Sequence, residues 1–313
     1  VNVATLIGQA EEALENDDIE TALRLGQQLI EARHTFGFEA MARAHYANGD
    51  TANAFAILER GVKEAPHVWT LWHLLGNYAS DGDDFARAFS SYDRALACDR
   101  VEAEVVHLNY ATDLHRAGRN EEALERLQQV RDPEYGTPAG VVRADALNAL
   151  GRHKEALAAA RQTLDAAGGN ADDIELGRLY CAMAEALRGQ GNMTAALDAC
   201  WKAIEYDREN ERAVALLREV EGRFSAEAKY FRLVVKGRPK KGRAAAQEGF
   251  LMKADVVADD PEEALYFLNR LEPPETRGTL GVEEVEMNRS ATADQPKGVY
   301  WCSPRAFYLE EKG

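Results

Sequence analysis

One feature constrains this chain more than any other. A small residue returns five positions after a tight turn containing Gly, Asn or Asp, and it does so six times. The pairs are Asn16-Asp17 with Ala22, Gly49 with Ala54, Gly82-Asp83 with Ala88, Gly118 with Ala123, Gly151 with Ala156, and Gly191 with Ala196. Successive alanines stand 32, 34, 35, 33 and 40 residues apart. A period in this range signals stacked supersecondary units, none of which can bury its apolar face alone. The segments after the turns, among them ALERLQQV, ALAAARQTL and ALDACWKAI, space their apolar residues for helix and not for strand. The turns NGD, AGRN, LGRH and QGN place Gly or Asn where the backbone leaves one helix and enters the next. The repeated unit is therefore a helical hairpin.

Two helices approach closely only where side chains are small, since larger ones hold axes about 8–10 Å apart. Gly76, Ala111, Ala144 and Ala184 on the first helices are expected to face Ala88, Ala123, Ala156 and Ala196 on the second. Trp72, Leu75, Phe85 and Tyr92 would fill the surrounding space. The long 40-residue interval coincides with DAAGGNADD at 165–173, which reads as an enlarged loop, and EYGTPAG reads as an irregular entry to the fifth unit. ENERAVALLREVEG at 209–222 reads as a capping helix over the last unit.

Trp72, Leu75, Gly76, Ala88, Tyr92 and Ala95 stand at the spacing of the tetratricopeptide repeat family, which this part of the chain resembles. Met41, Ala42, Gly49, Ala54 and Pro66 fit in the unit before, and Tyr180, Ala184, Leu187, Gly191, Ala196 and Ala203 in the last. Arg100 and Arg208 depart from the usual closing proline. The resemblance spans roughly residues 3–208 and implies an all-α solenoid of about six repeats plus the capping helix, over residues 1–222. Family members that hold chaperone tails clamp a terminal carboxylate with basic and amide groups. Only Asn77 matches that set, while His73, Leu108, Asn109 and Thr112 replace the others, which disfavours such a role.

After about Phe224 the pattern changes. AKYFRLVVKGRP and GFLMKADVVAD have the β-branched and aromatic content of strands. DDPEEALYFLNRL is a helix, with Asp260 to cap it, Pro261 at its first position, and Ala264, Leu265, Phe267, Leu268 and Leu271 on its buried face. VEEVEMNRS forms a third strand in which Val282, Val285 and Met287 alternate only roughly. GVYWCS and RAFYLEE are one strand broken at Pro304, or two. Residues 225–313 thus read as a small α+β domain of order β-β-α-β-β, which resembles no family.

Several function classes are disfavoured. No run of 18 apolar residues offers a membrane span. The N-terminal VNVATLIGQAEEALEN has no basic start or long apolar centre, so it does not read as a signal peptide, and a cytoplasmic location is expected. Cys98, Cys181, Cys200 and Cys302 form no CxxC pair and read as reduced thiols filling gaps. Of a net charge of −16, residues 1–225 carry −15, which opposes a grip on phosphates. No HExxH, phosphate-binding loop or nucleophile elbow occurs, and WCSPR at 301–305 has no base nearby in sequence. No catalytic residue, metal or cofactor is expected.

Stacked hairpins curve, with the first helices lining the hollow side. Projection places Glu11, Glu39, Arg43, Tyr46, His73, Asn77, Thr112, His115, Asp145, Asn148, Arg178, Glu185 and Arg188 there. A solvated helix face would read the same way; as a groove, this row would hold an extended peptide or a partner helix. The expected function is a non-enzymatic protein-interaction scaffold, with a second partner or a self-contact through the C-terminal domain. Homo-oligomerisation stays open. Two alternatives are weighed. The run KGRPKKGR, with Lys236, Arg238, Lys240, Lys241 and Arg243, could contact nucleic acid or an acidic partner, but it lacks interleaved aromatics and reads better as a solvated hairpin loop. A catalytic C-terminal domain served by the repeats would have Cys302 as its only evident nucleophile.

Overall fold

A computed structural model of the chain describes residues 2–168, 171–238, 240, 248–292 and 294–309. The chain divides into two compact units, Val1–Val142 and Arg143–Gly313.

The first unit contains the hairpins α1 (Val3–Glu15) with α2 (Ile19–Glu31), α3 (Phe36–Ala47) with α4 (Thr51–Glu64), α5 (Trp69–Asp81) with α6 (Phe85–Leu96), and α7 (Ala103–Arg116) with α8 (Asn120–Leu127). A short 3-10 turn, Pro133–Tyr135, leads into α9 (Gly136–Ala149), whose residues from Arg143 onward belong to the second unit. EYGTPAG is thus largely helical, with Pro138 in the first turn of α9, where a missing N–H breaks no intrahelical bond. Each hairpin turns on one left-handed residue: Asp17, Gly49, Asp83 and Gly118, at φ of 54°, 77°, 58° and 76°. In the third hairpin that residue is Asp83 and not its neighbour Gly82, whose φ is −89°. The next residue caps the following helix. Asp18, Asp50 and Asp84 accept the N–H groups of Thr21, Asn53 and Arg87 at 3.1, 3.2 and 3.1 Å.

Ala22, Ala54, Ala88 and Ala123 are fully buried, as the small-residue argument requires. Gly76 has a different reason from the one expected. A Cβ there would lie 2.5 Å from the ring of Tyr92, so the tyrosine, and not Ala88, takes the space that the missing side chain leaves.

The second unit continues through α10 (His153–Ala167), α11 (Asp173–Gly189), α12 (Met193–Tyr206) and α13 (Glu211–Glu221). The expected enlarged loop at 165–173 is corrected: α10 and α11 reach into both ends of that stretch, and their lengths of 15 and 17 residues absorb much of the long interval. Ala156 and Ala196 are fully buried here too.

Beyond α13 come β1 (Lys229–Gly237), β2 (Glu248–Ala258), α14 (Pro261–Leu271), β3 (Gly281–Ser290), β4 (Gly298–Cys302) and β5 (Ala306–Leu309). The strands form one antiparallel sheet in the order β3-β1-β2-β4, with β5 also on β2. GVYWCS and RAFYLEE are therefore two strands: β4 pairs with the second half of β2 and β5 with its first residues. Phe231, Leu233 and Val235 of β1 pair with Val256, Ala254 and Met252 of β2 and point into one core. Phe267 and Leu268 of α14, Val214 and Leu217 of α13, and Ala199 and Ala203 of α12 complete that core. The secondary structure changes type between Glu221 and Lys229, but the apolar core runs unbroken across this point.

The rough alternation of β3 has a cause. Met287, Val285 and Val282 pair with Phe231, Leu233 and Val235, and the register shift between Val234 and Val235 brings Val282 to the same side as the other two. At this sheet edge they remain 60%, 49% and 38% exposed.

Candidate polypeptide-binding face

In the first unit, helices α1, α3 and α5 bring together the clearest cluster. Arg43 lies 3.8 Å from Glu39, one turn apart on α3. Desolvation raises the Glu39 carboxyl above its usual range, against the pull of Arg43, and Glu11 on α1 adds to the rise. Tyr46 of α3 stacks on Tyr78 of α5 with centroids 3.7 Å apart and planes 5° from parallel. The Tyr46 hydroxyl donates to Asp81 at 2.6 Å. Burial, then Asp81, pushes this phenol up to about 12, and burial pushes Tyr78 up to about 12. Glu11, Arg43 and Asp81 are exposed, Tyr46 is half-buried, and Tyr78 beneath it is buried.

His73 and Asn77 are tied more deeply. The Asn109 amide lies 2.8 Å from His73 Nε2 and 3.3 Å from Asn77 Oδ1. The Tyr92 hydroxyl donates to Asp113 at 2.7 Å and lies 2.9 Å from Asn77 Oδ1. Arg116 continues the chain to Ser80 and Asp113, at 2.6 and 3.3 Å. Burial pushes His73 down to about 4, so it is a neutral imidazole at physiological pH. These groups satisfy one another between hairpins. Thr112 is satisfied within its helix by the Leu108 carbonyl at 2.9 Å, and His115 pairs with Asn120 at 2.7 Å.

In the second unit most of the expected face is engaged by the chain itself. Arg212 of α13 reaches Asp145 with its two Nη groups at 2.9 and 2.8 Å, and Glu185 with Nε and Nη2 at 2.9 and 2.7 Å. Burial works against the charge on Arg212, but the two carboxylates outweigh it and hold the guanidinium above its usual range. Asn148 donates to the Ala182 carbonyl at 2.8 Å and meets His153 at 3.2 Å. Arg188 pairs with Glu219 of α13, and Arg178 is exposed. Sequence alone does not mark Arg212, since nothing local on the capping helix points to carboxylates on α9 and α11.

In the basic run, Lys236 sits 3.6 Å from Glu283 and over the Tyr308 ring. Arg238 and Lys240 are exposed, and their backbone N–H groups bond Thr279 and Glu275. Lys241 and Arg243 lie outside the described residues. Burial pushes the thiols of Cys181, Cys200 and Cys302 up to about 12, which leaves them protonated and weakly nucleophilic. Among the described residues no group of His, Cys, Asp and Glu is arranged to hold a metal, and no helix is long and apolar enough to cross a membrane. Sequence reasoning also missed a cavity of about 850 Å³ in the second unit, walled by Trp201, Tyr206, Arg208, Arg270, Pro273 and Arg277. Its walls are far apart in sequence, so no local motif marks it.

The sequence model of the tetratricopeptide repeat matches residues 177–210, which form α11, α12 and the chain just after them. No curated protein matches the chain in sequence. Among solved structures, the chain is similar to a tetratricopeptide repeat protein from Parabacteroides merdae, with a TM-score of 0.56, 11% identity, and coverage of 70% of this chain and 85% of that one. It is similar to RapI in its apo form, with a TM-score of 0.53, 13% identity, and coverage of 70% and 71%. It is also similar to PilW, a type IV pilus biogenesis factor, with a TM-score of 0.52, 18% identity, and coverage of 60% and 84%. At these identities the likeness is one of fold: a tetratricopeptide-type array of helical hairpins, followed here by the antiparallel sheet domain.

Proposed function

We propose that this tetratricopeptide-fold chain is a non-enzymatic, cytoplasmic interaction scaffold that binds an extended polypeptide along the first helices of its N-terminal unit. The observation that carries this reading is the half-buried Tyr46, stacked on the buried Tyr78 and flanked by the exposed Arg43 and Asp81. A tyrosine held rigid by stacking costs little entropy to present, and aromatic and arginine anchors carry much of the binding energy at interfaces. The half-buried His73–Asn77–Asn109 network holds neighbouring hairpins in register and so fixes the spacing of the anchors.

The first helices of the N-terminal unit present the groove, and the edge strand β3, with its exposed Val282, Val285 and Met287, offers a second contact. Holding two partners on one chain raises their effective concentration without chemistry. The acidity of the helical part and the contact of Lys236 with Glu283 favour a protein partner over a nucleic acid.

The test is affinity capture with the full chain and with an Arg43→Glu, Tyr46→Ala variant, quantified by mass spectrometry. Specific partners of the native chain should fall at least tenfold with the variant, the scale of losing about 1.4 kcal/mol or more at a hot spot. Identical partner sets would refute the assignment of this face.

A further inference from the structure

The cavity of the second unit has a chemistry of its own, on the opposite element of the hairpin from the expected groove. Its volume of about 850 Å³ lies in the range of small-ligand sites, about 300–1,000 Å³. One wall comes from the end of α12 and the other from the end of α14 and the turn after it. Trp201, Ile204, Tyr206, Leu271, Pro273 and Pro274 supply apolar surface, and Tyr206 is stiffened by stacking on Tyr180 with centroids 5.6 Å apart.

Three arginines line the same space: Arg208, Arg270 and Arg277. The first two are neutralised locally. Arg208 bonds Glu272 at 3.0 Å; Arg270 binds Glu221 and lies over the Trp201 ring at 4.8 Å. Glu272 is 1% exposed, and its oxygens are taken up by Arg208, by Thr276 at 2.6 Å and by Arg305 at 2.5 Å. Glu205, the other acid of the lining, is exposed and pairs with Lys202 at 2.8 Å. Arg277 differs. Its Nε donates to the Glu272 carbonyl at 3.0 Å, it is exposed, and no carboxylate among the described residues pairs with it. The lining thus combines a positioned guanidinium without a counter-charge with an aromatic and proline wall, on a protein whose net charge is −16. Retaining unneutralised positive charge beside an apolar hollow suits an anion that carries an apolar body.

We propose that this cavity binds an organic anion, its carboxylate on Arg277 and a flat apolar body against Trp201 and Tyr206. A small aromatic acid and a peptide ending in an aromatic residue with a free C-terminal carboxylate both present this chemistry. The site is separate from the Tyr46 face, so it stands or falls independently of the function proposed above.

The experiment titrates the full chain by calorimetry with four probes: 2-naphthoate, its uncharged analogue 2-naphthamide, Gly-Gly-Trp with a free carboxylate, and the same peptide amidated. At least one anion should bind in a 1:1 ratio and at least tenfold more tightly than its uncharged counterpart. Arg277→Glu should abolish that preference, and Arg277→Gln should weaken it, with the fold retained by circular dichroism and only a small drop in the thermal unfolding midpoint from the lost bond to the Glu272 carbonyl. Preference for naphthoate identifies a small-molecule source, and preference for the free peptide a protein C-terminus. If neither anion outbinds its uncharged analogue, or if both Arg277 variants bind as the native chain does, the proposal fails.

Discussion

Gly76 decides how closely α5 and α6 can pack. The Tyr92 ring occupies the position of its absent side chain, and the ring cannot swing away without breaking the bonds of its hydroxyl to Asp113 and Asn77. Gly76→Ala gains about 1 kcal/mol of helix propensity but forces a contact of 2.5 Å with that ring. Overpacking a close-packed core costs about 1–3 kcal/mol, and because the tyrosine is held at both ends the upper part of that range applies. The variant should be destabilised by about 1–2 kcal/mol net. Gly8 in α1 is the control: it is exposed, and an added Cβ would meet nothing within 4 Å. Gly8→Ala should stabilise by about 0.5–1 kcal/mol. Urea unfolding followed by circular dichroism reads both, and the two shifts in midpoint should have opposite signs. Equal signs would mean that propensity alone governs these glycines.

At the scale of elements, α13 is more than a lid on the last hairpin. Its apolar side enters the core shared with the sheet, while Arg212 on its polar side joins Asp145 of α9 to Glu185 of α11. Removing the guanidinium leaves two facing carboxylates with 12% and 27% side-chain exposure and no counter-charge. Arg212 itself is partly exposed, so solvent screening reduces the penalty. Arg212→Met should cost about 1–3 kcal/mol, and adding Asp145→Asn and Glu185→Gln should recover at least half of it. Chemical denaturation of the single and triple variants checks this, and a triple variant no more stable than the single one would show that the loss is packing and not charge. The same helix marks what a sequence makes legible. Hairpin period, buried alanines, turn positions and caps could be read because each depends on residues within one turn or one repeat. Tyr46, Arg43 and Glu39 were read onto one face by helical periodicity for the same reason. Arg212, the phasing of β3 by its bulge and the cavity beside Trp201 could not. Each depends on which distant element arrives alongside, and a polar residue on a helix looks alike whether it meets water or a carboxylate 67 positions away.

For the molecule as a whole, the consequence of the shared core is that secondary structure and cooperativity divide in different places. Helix gives way to strand between Glu221 and Lys229. Yet Phe231, Leu233, Val235 and Phe267 are buried in one cluster with Cys200, Ala203, Val214 and Leu217 from the preceding helices. A chain cut at 222 would leave the apolar side of α13 in water, and a fragment starting at 225 would lose the helices on which part of its sheet core rests. A small domain buries a smaller fraction of its surface on folding than a large one, so the loss of part of its core weighs heavily. A fragment of residues 133–313, which keeps α9 to β5 whole, should unfold in one cooperative transition. The 225–313 fragment should lack a cooperative melt and should bind a hydrophobic dye, with strand content but no fixed packing. Calorimetry and dye fluorescence on the two fragments separate the cases. If 225–313 melted cooperatively at the midpoint of the longer fragment, the sheet would be self-sufficient, and the contact with α12 and α13 would be docking between finished domains and not part of their folding.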